Sequence, residues 1–307
     1  MSQPDSIAVP YDLRAGYGAD HRRVLVLGGG GIFFIAWQVA YLHRLAKRGI
    51  DFGAATRVVG TSAGSVVASL VTAGRIELAR AELGLLAKLP NMVAAMAPTD
   101  SLRPSQLRAL ELFRQASDAR PETIQAIGRA ALAADADPAP KLRRSIAAVL
   151  AKREWPSDSL TIATVDTYTG ERLVLTADAG CSPARAAAAS SSVPGLFSPQ
   201  LVSDRKCMDG GVSGSGTHAD LAVGAERVVI LSLSAQLRAP QAMMTIHPDS
   251  LDTETQAIRD AGGDVFLRGP REAQVDTLMS PDSIPEAVAM GADQADSDAE
   301  AAAEFWR

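Results

Sequence analysis

Three short stretches of the chain carry residue types that could do chemistry. In Gly60-Thr61-Ser62-Ala63-Gly64 a serine sits between two glycines, each two positions away. Val58-Val59 just before it reads as a short buried strand, and the stretch from about Ser62 to Ala73 reads as a helix. A serine at such a strand-to-helix turn needs a strained backbone, and a side chain two positions to either side would clash there. The helix also aims its positive end at the serine oxygen, which favours a developing negative charge. Ser62 is thus a candidate nucleophile with Gly60 and Gly64 as its support; the plainer reading is a turn that is merely rich in small residues.

The second stretch is Gly28-Gly29-Gly30-Gly31. Consecutive backbone N–H groups with no side chains in the way can donate to an anion, either a nucleotide phosphate or the oxyanion of an acyl-transfer intermediate. A dinucleotide fingerprint counted from Gly29 would need glycine where Phe34 stands, and the chain has no Gly-Lys-Ser/Thr phosphate loop. The third stretch is Asp209-Gly210-Gly211. Taken alone it is a turn, but an ionised aspartate could be the base that a serine nucleophile needs.

These stretches must be held by a larger frame. Residues 1–22 read as a loosely ordered leader, and 23–307 as one domain. Val24 to Leu27 predicts a buried strand. A helix follows, with Ile35, Val39, Leu42 and Ala46 on its inner face and His43, Arg44, Lys47 and Arg48 on the outer. Strand and helix then alternate, which implies a parallel sheet with crossover helices. Residues from about 76 to 155 are rich in Leu and Ala and predict a helical insertion covering one end of the sheet. Strands return at Leu160 to Val165, Arg172 to Thr176, Val228 to Leu233 and Val265 to Leu267. Further helices are expected over Pro183 to Ser192, 249–262 and 283–305.

In this order, the three stretches resemble the patatin-like phospholipase family, and two more segments add to the likeness. Ala189-Ser190-Ser191-Ser192-Val193-Pro194-Gly195-Leu196-Phe197 is similar to the family's Ala-Ser-x-x-x-Pro-x-x-Phe segment. Met208 to Ala222 is similar to the region around its aspartate, and the tail to Arg307 to actinobacterial members. The resemblance implies a three-layer α/β/α patatin-like fold with a mostly parallel central sheet. It also implies a Ser–Asp dyad that works without histidine, with Ser62 matching the nucleophile and Asp209 the base. Gly29, Gly30 and Gly31 match the oxyanion loop, and Gly210 and Gly211 complete the aspartate motif. The implied chemistry is two-step hydrolysis of lipid carboxylic esters through an acyl-serine. One departure stands out. Phe33-Phe34 replaces the family's Arg-Gly, so a cation that could hold a phosphate headgroup is absent, the loop could tilt or crowd Ser62, and a hydrophobic wall there could instead favour acyl chains.

Two rivals stay open. An α/β-hydrolase triad would add His218 or His247 to Ser62, although that fold places several strands before its nucleophile. His218 reads as a polar helix-start residue and His247 as a loop residue. Alternatively, Phe33-Phe34 could have turned the fold into an impaired lipid-binding or scaffold protein.

Composition bounds the rest. The 307 residues are 47% apolar and 21% charged with a net charge of −5, ordinary for a soluble domain and no footprint for nucleic acid. Cys181 and Cys207 show no metal-ligand spacing and read as reduced thiols. No metal or cofactor is implied. With no signal-peptide pattern and no apolar run long enough to span a bilayer, a cytoplasmic location is expected, with peripheral membrane contact left open. Met243-Met244 could be a lipid-facing loop, but a plain loop or core contact is the stronger reading.

Overall fold

A computed structural model describes residues 7–86, 102–151, 153–236, 246–247 and 249–307; Met243-Met244 lies outside them. Eight described strands form one sheet: β1 (Arg23–Leu27), β2 (Arg57–Thr61), β3 (Leu160–Asp166), β4 (Arg172–Leu175), β5 (Gln200–Val202), β6 (Arg205–Met208), β7 (Arg227–Leu231) and β8 (Asp264–Arg268). They run in the order β5-β6-β3-β2-β1-β7-β8, with β4 also paired to β3. The five strands from β3 to β8 along this order are parallel, and β4, β5 and β6 are antiparallel additions. The short β5 and β6 escape the sequence reading because Arg205-Lys206 interrupts any apolar pattern there.

β1 sits centrally because both of its faces are apolar. Leu25 and Leu27 join one core cluster with Val58, Leu160 and Ile162. Val24 and Val26 join a second with Val59, Val228 and Ile230. A strand covered on both sides reads as a continuous apolar run, not an alternating one. Helices α1 (Gly31–Lys47), α2 (Ala63–Thr72), α3 (Ile76–Leu86) and the C-terminal helix feed the first cluster. The turn Ala219–Ala222 and α8 (Ser250–Asp260) feed the second, so the sheet lies between two helical layers.

α1 departs from its expected faces. Ala46 is exposed, whereas Phe34, Trp37 and Tyr41 are fully buried. The reason is α9 (Ile284–Trp306), which packs along α1 and covers the side a two-layer pattern would leave wet. Trp37 and Tyr41 stack with ring centroids 4.9 Å apart. Their polar tips donate to Gln294 Oε1 at 3.0 Å and to Asp298 Oδ2 at 2.9 Å.

Between β2 and β3 the described chain is helical apart from its connections. α4 (Pro104–Gln115) and α5 (Pro121–Ala133) set Phe113, Ile124 and Ile127 against Val165, Met208 and Val212. α6 (Ala139–Leu150) packs on α2 and on α7 (Pro183–Ser190). The leader, expected to be loose, is tied down over residues 7–22. Val9 donates to the Arg172 carbonyl, Val174 donates to that of Ile7, and Gly18 donates to that of Val223. The Arg172 side chain adds bonds to the carbonyls of Val9 at 2.9 Å and Pro10 at 2.6 Å. Buried backbone groups at the β4 edge thereby find partners that local pattern does not reveal.

Candidate active site

Ser62 stands at the junction of β2 and α2 with φ 50° and ψ −121°, a backbone conformation that costs a non-glycine residue energy. The turn is tight enough that its glycines leave no room for substitution. A Cβ on Gly64 would lie 2.0 Å from the Leu27 carbonyl oxygen, and one on Gly60 would lie 2.6 Å from Ser65 Cα. Two hydroxyls hold the elbow. The Ser62 N–H donates to Ser190 Oγ at 2.8 Å, and Ser190 in turn donates to the Ala163 carbonyl at 2.7 Å. Ser65 Oγ donates to the Ser62 carbonyl at 2.6 Å. Ser190 stood in a recognisable motif, but its role as the clamp on the Ser62 backbone emerges only in three dimensions.

Asp209 follows β6, and β6 meets β3 at Val165↔Met208. That pairing carries the carboxyl across the sheet to Ser62 although 147 positions separate them in sequence. Asp209 is 1% exposed. Its Oδ1 accepts the Gly211 N–H at 2.9 Å. Burial pushes its pKa up to about 7, against the opposing pull of the Ser62 hydroxyl and the Gly211 N–H. Oδ2 is shielded from solvent and has no hydrogen-bond partner among the described residues. The Ser62 hydroxyl lies near enough to the carboxyl to lower its pKa.

The glycine-rich loop lies beside this pair and corrects one expectation. Gly29 is not a free donor, because its N–H is spent on the Gly216 carbonyl at 3.0 Å. The N–H groups of Gly30 and Gly31 have no acceptor among the described residues, and neither does that of Ala63 at the head of α2. Ala63 was not singled out from the sequence. Its position after the serine at a helix start was the available signal.

Phe33 and Phe34 do not form a wall beside Ser62. Both side chains are buried in the core, and Phe34 stacks on Trp37 with centroids 5.5 Å apart. A helix presents neighbouring positions to different sides, so the wall comes from Ile32 and Ile35 instead. With Val66, Val193 and Phe197 they line an apolar cavity of about 50 Å³ that opens on Ser62 and Gly31. Ser191 also lines it, and its buried Oγ has no hydrogen-bond partner among the described residues.

The histidines are placed differently from a triad. His218 is fully buried with φ 56°, and both ring nitrogens are engaged. Thr61 Oγ1 lies 2.9 Å from Nδ1 and Ser213 Oγ lies 2.7 Å from Nε2. Ser213 already donates to the Gly210 carbonyl at 2.9 Å, so Nε2 carries the hydrogen and Nδ1 accepts from Thr61. Burial and then the Arg172 charge hold the ring's pKa well below its usual value, keeping it neutral. His247 lies against Gly214.

Beneath this segment, Arg172 grips Asp220 through Nη1 at 2.7 and 2.8 Å. Thr217 donates to the buried Glu254 at 2.6 Å. These bonds anchor residues 216–220, and so the carbonyl that occupies Gly29.

The sequence model of the family described as patatin-like phospholipase matches residues 25–223. No curated protein matches the sequence. Among solved structures, the crystal structure of VipD from Legionella pneumophila aligns over 92% of this chain and 67% of its own, at 14% identity and a TM-score of 0.44. That of the type III effector protein ExoU aligns over 89% of this chain and 53% of its own, at 17% identity and a TM-score of 0.32.

Proposed function

The chain belongs to the patatin-like phospholipase family, and from that premise we propose that it is a serine acyl hydrolase acting on carboxylic esters of lipid type, with Ser62 as nucleophile and Asp209 as base. One observation carries the reading: a strained serine faces a buried carboxyl whose pKa is raised to about 7, beside N–H groups that have no acceptor among the described residues. A base with a pKa close to the working pH combines a usable ionised fraction with real proton affinity.

In the first step Asp209 takes the Ser62 proton as Oγ bonds to the ester carbonyl carbon. The carbonyl oxygen becomes an anion, for which the N–H groups of Gly30 and Gly31 are the donors at hand. Collapse breaks the ester C–O bond, and the proton on Asp209 leaves with the alcohol. Water then attacks the acyl-Ser62 carbonyl, gives its proton to Asp209, and the acid departs as Ser62 regains its hydrogen. His218 has no role in this sequence, since both its nitrogens serve Thr61 and Ser213.

A fluorophosphonate probe tests the proposal. Labelling of the folded protein is expected at Ser62, to be lost in Ser62→Ala and strongly slowed in Asp209→Asn. Folded wild-type protein that takes no label would overturn it in favour of a lipid-binding or scaffold role.

A further inference from the structure

The cavity on Ser62 is small for a lipid hydrolase. Its 50 Å³ accommodate roughly three to five water-sized groups, at about 10–15 Å³ each. Its apolar lining leaves little for a polar headgroup to bind, so the acyl chain is the part of a substrate that it fits. Much of that lining comes from elements that also carry the reacting groups: α1 begins at Gly31 and α2 follows Ser62. The exceptions are Ser191, Val193 and Phe197 after α7, Leu142 and Ile146 of α6, and Met279. Leu142 and Ile146 are one helical turn apart, so they present side chains from the same face. They are 6% and 1% exposed, packed where α6 meets α2 and α7. α6 itself contributes no group to the Ser62–Asp209 machinery.

We propose that Leu142 and Ile146 form a stop at the end of the acyl slot, making this protein selective for short acyl esters of about four carbons and not for long-chain lipids. The inference rests on the acyl-hydrolase reading above. Chain length is then set by an element separate from the chemistry. A longer chain must displace two close-packed side chains, whereas a short one fills space that is already there.

Hydrolysis of p-nitrophenyl esters from acetate to decanoate tests this on the full chain. For the wild type, kcat/KM is expected to peak near butyrate. It should fall by at least about tenfold by octanoate, since even one methylene misfit in an apolar pocket shifts specificity by about that factor. Leu142→Ala and Ile146→Ala each remove three side-chain carbons and should move the peak of the profile to longer chains. Leu142→Met conserves volume and should keep the wild-type profile. A wild-type profile that is flat, or that peaks at octanoate or beyond, overturns the inference while leaving the hydrolase reading intact. The same holds for folded alanine variants with an unshifted peak. If a truncated variant fails to fold, the wild-type profile still decides. Absence of hydrolysis at every length, with no probe labelling of Ser62, removes both readings together.

Discussion

Replacing Asp209 by Asn removes a charge that the fold holds at a cost. The carboxyl is 1% exposed, and burial raises its pKa from 3.8 to about 7. The native state therefore keeps its proton up to about pH 7, while the unfolded chain releases it near pH 4. Between these values the native state binds more protons, so the group's contribution to stability is lost as pH rises through the window. A shift of about 3 units corresponds to on the order of 4 kcal/mol of destabilisation at about pH 8, and to almost none at about pH 4. Asparagine keeps an oxygen for the Gly211 N–H and carries no charge at any pH. Asp209→Asn should thus be close to wild type in stability at about pH 4 and more stable by up to about 4 kcal/mol at about pH 8. Urea unfolding of both proteins at the two pH values measures this, and other buried carboxyls such as Glu254 cancel in the comparison. The same variant should lose about 10² to 10⁴ in ester turnover, the usual cost of removing a general base. A stability difference identical at both pH values would refute the argument, because the native carboxyl would then titrate like an ordinary surface group.

Further outcomes follow from the same geometry. For a neutral short-chain ester, kcat/KM should rise about tenfold per pH unit below about pH 7 and level off above it, because Asp209 acts ionised; stopped or continuous p-nitrophenol release gives the profile. Gly64→Ala should be destabilised by more than about 3 kcal/mol, since its Cβ would overlap the Leu27 carbonyl at 2.0 Å, with thermal melts as the readout. Ser190→Ala leaves the buried Ser62 N–H without an acceptor; a loss of about 1–3 kcal/mol in urea melts and slower fluorophosphonate labelling at saturating folding conditions are expected.

Much of the frame was legible from residue order alone. Val24 to Leu27 announced a doubly covered strand, because a strand apolar on both faces has no solvent side to encode. Ser62 between Gly60 and Gly64 announced an elbow, because close backbone approach tolerates only hydrogen at those positions. Such features depend on neighbours within a few residues, and a linear reading captures them. It could not decide which amides of the glycine-rich loop are free: Gly29 loses its donor role to Gly216, a residue 187 positions later. Nor could it turn Phe33 and Phe34 into the core, since the helix that covers α1 lies at the far end of the chain. The leader's bonds to β4, the Ser190 clamp and the packing of Leu142 and Ile146 beside the Ser62 cavity are of the same kind. Each is a contact between distant segments, set by how helices and sheet pack once the chain has closed on itself, and no local pattern of residues specifies it.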